Sequence, residues 1–242
     1  MKLSIVVPAF NEEKLLPGTL RAIAAAAVAL TEAGLEWECI VCDNNSTDRT
    51  PEVAREHGAR VVFEPVNQIA RARNTGASIA TGGWLLFVDA DSRPSKELFA
   101  EVAALIAEGR VLFAGALVAM DTKLRWGARV ALEAWNTLSR WACWVAGSFV
   151  LVETTLFREV GGFDQRYFAG EEVDLSRRLK RAARLRGKRG AIITRRRLET
   201  SARRLKMYTA RELAGFFWKA ARRPWSTTSN REACGMWYDG RR

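Results

Sequence analysis

Histidine is almost absent from this sequence: His57 is the only one among 242 residues. A Ser-His-Asp triad needs a histidine as its general base, so the shortage disfavours that chemistry. His57 stands next to Gly58 at the end of a predicted helix, where a surface position or an interaction with the helix dipole is the expected role.

Cysteine is also scarce, and its spacing does not suit a metal site. The four cysteines are Cys39, Cys42, Cys143 and Cys234. The first two lie in an apolar strand pattern, where residues three apart face opposite sides of the sheet, and no second pair follows. We therefore expect free, buried thiols in a reducing compartment rather than a zinc site.

Long apolar runs are missing as well. None approaches the roughly 18 uninterrupted apolar residues of a transmembrane helix. The N-terminal apolar run at 3–7 is short, and Pro8 and charged residues follow it, which is unlike a signal peptide. These features predict a cytoplasmic protein.

Two glycine-rich phosphate-binding patterns are absent too. No Gly-x-Gly-x-x-Gly follows the first predicted strand, and no Gly-x-x-x-x-Gly-Lys-Ser/Thr occurs anywhere. Such loops bring backbone N–H groups close to phosphates. Dinucleotide binding and P-loop chemistry are therefore disfavoured.

Acidic residues are scarce in the last quarter of the chain. Residues 1–176 contain 17 Lys/Arg and 23 Asp/Glu, a net charge of −6, whereas residues 177–242 contain 21 and 4, a net charge of +17. This asymmetry predicts an anionic partner, which could be phosphates, an anionic membrane surface or nucleic acid.

An apolar run from Trp84 to Val88 is the most informative stretch that the sequence does contain. Such a run is typical of a strand buried on both faces of a parallel sheet, and these sheets bind ligands at the carboxyl ends of their strands. Asp89 and Asp91 follow at once, and in an extended chain residues two apart point to the same side. Two carboxylates there suit Mg²⁺ or Mn²⁺ beside a phosphate. The alternative is a turn that caps the next helix.

Predicted strands and helices alternate along most of the chain. The predicted strands are 3–7, 37–42, 59–63, 84–88, 111–120, 146–156 and 192–193. The predicted helices are 12–33, 51–57, 70–80, 96–107, 126–144, 173–186 and 209–222. Asn11 and Ser95 are the expected N-caps of the first and fourth helices. The alternation predicts an α/β protein with a doubly wound, mostly parallel sheet flanked by helices.

Five motifs follow one another in a fixed order. They occupy residues 6–12, 41–48, 72–77, 87–91, and 160–164 followed by 170–175. Together they resemble the family 2 glycosyltransferases over roughly residues 3–180. The resemblance implies the GT-A nucleotide-diphospho-sugar transferase fold, with a Rossmann-like, mostly parallel central sheet. It also implies an enzyme that moves a sugar from a nucleotide-diphosphate donor to an acceptor, with inversion at the anomeric carbon.

The resemblance assigns the donor site residue by residue. Asp43 matches a carboxylate that accepts a hydrogen bond from the nucleotide base, and Arg73 matches an arginine of the nucleotide region. Asp89 and Asp91 match the Asp-x-Asp pair, the first directed towards ribose and metal and the second on the metal. The implied cofactor is Mn²⁺ or Mg²⁺, which neutralises the leaving diphosphate. The residues that match the first nucleotide-contacting loop are Pro8, Ala9, Asn11 and Glu12.

The implied catalytic base lies after the Gly-Gly-Phe-Asp turn. The family usually has a Glu-Asp pair there, and this chain has Glu171-Glu172, so Glu172 occupies the usual aspartate position. A carboxylate at that position can take the proton from an attacking acceptor hydroxyl. Because the side chain is longer by one methylene, Glu171 and Asp174 remain open as alternatives. The cluster could also simply cap helix 173–186.

Two further motifs concern processivity and the diphosphate. Processive members carry Gln-x-x-Arg-Trp after the base, whereas here the Arg-Trp pair at 140–141 precedes it and Thr137 replaces the glutamine. The resemblance therefore implies a non-processive enzyme. Residues 200–204 resemble a Ser-x-Arg-Arg motif of some small members, which makes Arg203 and Arg204 candidates for holding the donor diphosphate. A solvated basic face is the open alternative.

The acceptor side of the protein is least determined by the sequence. A tryptophan-rich helix and the basic C-terminus indicate peripheral contact with an anionic membrane, at its inner face, and a lipid-linked or cell-envelope acceptor. The tryptophans could equally line the core or the acceptor pocket, and both readings remain open. They are Trp126, Trp135, Trp141 and Trp144.

Two other functions compete with glycosyl transfer. A nucleotidyltransferase shares the nucleotide fold and the metal carboxylates, but it normally has a Gly-rich loop with a basic residue after the first strand, which is absent here. A nucleic-acid-binding protein would account for the basic C-terminus. However, the acidic residues 1–176 would repel a phosphate backbone and base-stacking motifs are missing, so we expect no nucleic-acid partner.

The sequence predicts one main domain with an extension. Residues 1–200 form the expected GT-A domain, with a donor half at about 1–93 and an acceptor half at about 94–200. Residues 201–242 form the expected basic, helical C-terminal extension.

Overall fold

A computed structural model of the chain describes residues 1–203 and 224–238, together with Met207, Gly215, Lys219 and Arg222. Its strands are β1 (Lys2–Ala9), β2 (Glu36–Asp43), β3 (Arg60–Phe63), β4 (Trp84–Val88), β5 (Ser92–Arg93), β6 (Val111–Met120), β7 (Phe149–Glu153) and β8 (Arg189–Thr200). Its helices are α1 (Leu16–Glu32), α2 (Thr50–Glu56), α3 (Ile69–Ser78), α4 (Lys96–Glu108), α5 (Trp126–Ala142), α6 (Thr154–Glu159), α7 (Glu171–Leu185), α8 (Pro224–Thr228) and α9 (Gly235–Tyr238). The helix predicted at 209–222 lies outside the described residues except at isolated positions.

All eight strands join one sheet in the order β3-β2-β1-β4-β7-β6-β8-β5. The first four are parallel to one another, β7 is antiparallel to both of its neighbours, and β8 runs parallel to β6. This arrangement confirms the prediction of an α/β protein with a mostly parallel central sheet flanked by helices.

Strand β4 is buried on both faces, as its unbroken apolar pattern predicts. Trp84, Leu86 and Val88 pack into one hydrophobic core with residues of α1 and α4. Leu85 and Phe87 point to the opposite face, where the second core includes residues of α3, α6 and α7. Alternate residues of one strand therefore join two helical layers.

Helix α3 lies close against the centre of the sheet because Gly76 has no side chain. A Cβ built at Gly76 would overlap Cγ1 of Val6 on β1. The close approach sets the position of Arg73, which lies one turn earlier on the same helix.

Several predicted boundaries were wrong. Asn11 is not a helix N-cap: its φ is 51°, and α1 begins at Leu16. The strand predicted at 146–156 is shorter, because residues from Thr154 onward form α6. The strand predicted at 192–193 is much longer, since β8 spans Arg189–Thr200.

The starts of helices α4 and α7 lie near the site. Ser95 caps α4 as predicted, since its Oγ accepts a hydrogen bond from the backbone N–H of Leu98. Helix α7 starts at Glu171 rather than near residue 173, so the predicted base lies inside its first turn.

None of the helices in the described part of the chain has both the length and the hydrophobicity needed to cross a bilayer.

Candidate active site

A pocket lies at the carboxyl edge of the sheet, where β1, β2 and β4 end side by side. Strand order reverses around β1, and this is the usual position of a ligand site in such sheets. Five of the residues that the sequence predicts for the site line this pocket: Pro8, Ala9, Glu12, Asp89 and Asp91. The structure adds Phe10, Asn44, Asn67, Ile69, Ala90 and Tyr238.

The two aspartates after β4 lie in a turn rather than in an extended strand, contrary to the sequence-based geometry. The backbone N–H of Ser92 donates to the carbonyl of Asp89 at 3.0 Å, which closes the turn. Oδ1 of Asp91 accepts a hydrogen bond from Oγ1 of Thr200 at 3.3 Å. The turn nevertheless places both residues in the lining of one pocket.

The first motif is held in place by the second. Oδ1 of Asn11 accepts a hydrogen bond from the backbone N–H of Thr47 at 2.7 Å, and the Asn11 N–H donates to Oγ of Ser46 at 2.9 Å. The left-handed backbone of Asn11 permits this exchange. The buried Asp43 carboxylate accepts from the Ser46 N–H at 3.1 Å. Asn11 and Asp43 therefore shape the pocket wall, and Asn44 lines it directly.

Arg73 lies behind the pocket with only 1% of its surface exposed. Its Nη2 donates to Oδ1 of Asp89 at 3.0 Å and to the Gly147 carbonyl at 2.8 Å, and its Nη1 donates to Oε1 of Glu171 at 2.6 Å. Burial lowers the pKa of Arg73, but the charges of Asp89 and Glu171 outweigh this effect and hold the pKa above its usual value. One buried guanidinium thus joins the pocket carboxylate to α7.

The three carboxylates in the first turn of α7 have different surroundings. Glu171 is buried against Arg73, and Asp174 is paired with Arg178 at 2.7 Å. Glu172 is partly buried and makes no ion pair among the described residues. Burial, and then the charge of Glu171, raises the pKa of Glu172 to about 8.

Of the two arginines suggested for the diphosphate, only Arg203 belongs to the described residues. Its Nη2 lies 2.5 Å from Oε1 of Glu12, which lines the pocket. The cation is therefore held at the pocket edge by a carboxylate. Arg204 lies outside the part of the chain that the structure describes.

Helix α9 reaches the same pocket through Tyr238, a contact that the sequence does not predict, and α8 lies beside the start of α7. The Thr228 carbonyl accepts a hydrogen bond from the backbone N–H of Phe168 at 2.7 Å, just before α7. The ring of Tyr238 packs edge-on against that of Phe168, and its Oη accepts from the Ile69 N–H at 3.5 Å. No local motif around Tyr238 signals this contact, because it depends on tertiary folding.

The donor set at the pocket fits a hard divalent cation. Magnesium and manganese take one or two carboxylates together with substrate phosphates, and Asp89 and Asp91 supply two carboxylates at one pocket. Within the described residues there is no cluster of three or more metal-ligating side chains. The remaining ligands would have to come from a bound phosphate and from water.

Comparison with known proteins gives relatives that are glycosyltransferases. A PGL/p-HBAD biosynthesis glycosyltransferase of Mycobacterium bovis (strain BCG / Pasteur 1173P2) is 30% identical over 173 residues, which cover 68% of this chain and 64% of the relative. Across the curated relatives the matched part spans between 47% and 64% of their own length.

Two solved structures share the fold. The mannosyltransferase PcManGT from Pyrobaculum calidifontis, in complex with GDP-Man and Mn²⁺, has a TM-score of 0.67 and 19% identity, covering 96% of this chain and 63% of that one. S. aureus TarS 1-349 in complex with UDP-GlcNAc has a TM-score of 0.65 and 19% identity, covering 83% of this chain and 58% of that one. These similarities confirm the predicted GT-A fold.

The family model described as Glycosyl transferase family 2 matches residues 4–153. This region contains β1, β2 and β4 and the pocket residues that follow them. The match covers more than half of the chain, and it includes four of the five motifs on which the sequence-based resemblance rests. The protein therefore belongs to glycosyl transferase family 2.

Proposed function

We propose that this glycosyltransferase is inverting, metal-dependent and non-processive, and that it moves a sugar from a nucleotide-diphosphate donor to an acceptor hydroxyl or phosphate. The observation that carries the proposal is the buried connection Asp89–Arg73–Glu171. It fixes the carboxylates of the donor pocket relative to the first turn of α7, where the candidate base lies. Inversion requires the acceptor to attack the anomeric carbon from the side opposite the leaving diphosphate, so the base and the diphosphate must be held on opposite sides of that carbon.

Asp89 and Asp91 would hold the divalent cation together with the donor diphosphate. The cation supplies Lewis-acid stabilisation of the charge that develops on the leaving nucleoside diphosphate. Arg73 keeps Asp89 in place from behind, at 3.0 Å. Pro8, Ala9, Asn44 and Ile69 supply the wall for the nucleoside.

Glu172 is the residue that best suits the role of base. Glu171 and Asp174 are both held by arginines, whereas the raised pKa of Glu172 favours accepting a proton near neutral pH. The acceptor oxygen forms its bond to the anomeric carbon as the bond from that carbon to the diphosphate breaks. The acceptor proton passes to Glu172. An acceptor phosphate would already be ionised and would not need this step.

The acceptor proposal rests on less specific observations. One curated relative carries PGL/p-HBAD biosynthesis in its name. Together with the basic C-terminal quarter, this supports a lipid-linked or cell-envelope acceptor and a cytoplasmic enzyme in peripheral contact with an anionic membrane. The family membership disfavours the nucleotidyltransferase and nucleic-acid-binding alternatives.

Thermal stability against a panel of nucleoside diphosphates and nucleotide sugars, with and without Mn²⁺ or Mg²⁺, tests the donor site. A ligand at about 100 times its Kd should stabilise the protein by about 2.7 kcal/mol. We expect a metal-dependent shift with one nucleotide, lost in Asp91→Ala and kept in Glu101→Ala, a matched change on α4. No shift with any nucleotide would contradict the proposal.

A further inference from the structure

Helix α5 has the reverse of the usual distribution of polar and apolar residues. The two residues that it buries are polar, Asn136 at 3% exposure and Ser139 at 1%. Asn136 accepts from the Val118 N–H at 3.1 Å and donates to the Val118 carbonyl at 3.0 Å, while Oγ of Ser139 donates to the Trp144 carbonyl at 2.6 Å. Asn136 thus attaches the helix to β6, and Ser139 binds the chain just after the helix ends.

The outer side of α5 is apolar and carries tryptophan at both ends. Trp126 is 77% exposed and Trp141 is 80% exposed, and between them Val130 and Leu138 are also exposed. At about 100° of rotation per residue, these four positions fall within about 120° of one another. They form one stripe that faces away from the protein.

A row of cations adjoins the end of this stripe. Arg177, Arg181 and Arg184 are exposed on one face of α7, followed by Leu185 at 84% exposure. Nζ of Lys180 donates to the Ala142 carbonyl at 2.7 Å, at the last residue of α5. The guanidinium of Arg177 lies 5.4 Å from the Trp144 ring. The basic face of α7 therefore begins where α5 ends.

We propose that these two faces together, here called the α5–α7 surface, dock on the interface of an anionic lipid bilayer. The α5–α7 surface consists of Trp126, Val130, Leu138, Trp141, Arg177, Arg181, Arg184 and Leu185. It develops the membrane contact of the proposed function by naming the residues that make it. Helix α5 lies in the membrane plane with its stripe among the acyl chains, and the arginines contact lipid phosphates.

The charge of the α5–α7 surface selects a bilayer over a second copy of the chain. In a symmetric dimer through this surface, the arginines of α7 would meet either the same arginines or the apolar stripe of α5, and neither supplies an opposite charge. An anionic bilayer instead offers hydrocarbon for the tryptophans and opposite charge for the arginines. Both parts of the surface are then satisfied at once.

Vesicle co-sedimentation tests the proposal, with phosphatidylcholine alone and with roughly a third phosphatidylglycerol. Wild type should bind the anionic vesicles and not the neutral ones. The double variant Trp126→Gln/Trp141→Gln should bind at least tenfold more weakly. Arg177→Gln/Arg181→Gln/Arg184→Gln should lose about a hundredfold, because each cation near an anionic surface contributes roughly fivefold.

Matched variants elsewhere on the molecule serve as controls. Val28→Gln/Phe63→Gln removes two exposed apolar residues from α1 and β3, and Arg21→Gln/Arg49→Gln/Arg55→Gln removes the same charge from the first quarter. Both should bind vesicles like wild type. Nucleotide-induced stabilisation, measured in parallel, should be the same in all four variants, so failure of membrane docking is distinguishable from failure of the donor site.

Three outcomes would overturn the proposal. One is no binding to anionic vesicles, and another is equal weakening in the α5–α7 variants and in their controls. The third is a wild-type dimer in light scattering that becomes a monomer in Trp126→Gln/Trp141→Gln without any vesicle binding. That result would assign the stripe to a second copy of the chain.

Discussion

Glu172 differs from the carboxylates beside it in having no cation of its own among the described side chains. Glu171 and Asp174 are each held by an arginine. Burial, and then the charge of Glu171, raises the pKa of Glu172 and favours its protonated form near neutral pH. A carboxylate that can both lose and regain its proton in this range suits a general base.

Replacement of Glu172 by glutamine should lower the rate of transfer to a hydroxyl acceptor by on the order of a hundredfold or more, because proton removal is lost. The wild-type rate should rise with pH through about 8, the raised pKa, and the variant rate should not. Steady-state rates across this pH range measure both effects. Nucleotide binding should be unchanged.

The matched variant is Asp174→Asn on the same turn, which should keep most of the activity. If Asp174→Asn is inactive and Glu172→Gln is not, the base is Asp174.

The stability of the Glu172→Gln variant provides a second check. The pKa of Glu172 is raised from its ordinary value of 4.5 to about 8 in the folded protein, so the wild type loses stability as pH rises from 4.5 through about 8. Because Glu172→Gln does not titrate there, its free energy of unfolding should increase relative to that of wild type over this window.

At the scale of elements, Arg73 joins parts of the chain that are far apart in sequence. It extends from α3 to the turn after β4, to the loop before β7 and to the start of α7. Its ring partner is Phe163, whose centroid lies 5.1 Å from the guanidinium carbon. Removing the cation would leave Glu171 buried without a partner.

Arg73→Met should therefore destabilise the protein by about 3–5 kcal/mol, as breaking a buried ion pair usually does. Arg71→Met is the matched control on the same helix. Arg71 pairs with Glu64 at 3.0 Å but is about one-third exposed, so its loss should cost about 1 kcal/mol or less. Urea unfolding of both variants measures the difference, and equal losses would contradict this role of Arg73.

The long, strongly patterned elements could be predicted from the sequence. The bounds of β4 and β6 are those of their apolar runs, and α4 begins after its serine cap. Strand β8 was largely missed because its exposed residues Arg195 to Arg197 look like a basic loop. Its pairing with β6 supplies a stabilisation that local pattern does not contain.

In the site, too, some features could be predicted from the sequence and others could not. Asp89 and Asp91 could be found because they directly follow a buried strand. The left-handed backbone of Asn11 and the bridging position of Arg73 depend on partners elsewhere in the chain, Ser46 and Glu171 among them. Such contacts have no signature in the surrounding residues.

At the scale of the whole molecule, the pocket draws on residues that are far apart in the sequence. Pro8 and Tyr238 line the same pocket, and burial followed by the charge of Glu171 raises the pKa of Tyr238, so its hydroxyl stays protonated. The predicted division into residues 1–200 and an extension at 201–242 stays a prediction. The extension nevertheless contributes Tyr238 to the pocket.

Tyr238→Ala should weaken binding of the nucleotide that stabilises wild type by roughly fivefold, since it removes an aromatic wall worth about 1 kcal/mol. Tyr238→Phe keeps the ring and should bind nearly as wild type. Calorimetric titration measures both affinities, and urea unfolding tests whether the fold is intact. Unchanged affinity in Tyr238→Ala would show that this wall does not contact the nucleotide.

The position of Tyr238 has a consequence for synthesis of the protein. Translation produces Pro8 long before Tyr238, so one wall of the pocket is missing until the ribosome has passed Tyr238. A nascent chain can assemble the sheet from β1 to β8 before that wall exists. Premature termination after β8 would therefore release a product that keeps the whole sheet and both pocket aspartates, yet presents an incomplete pocket to its nucleotide.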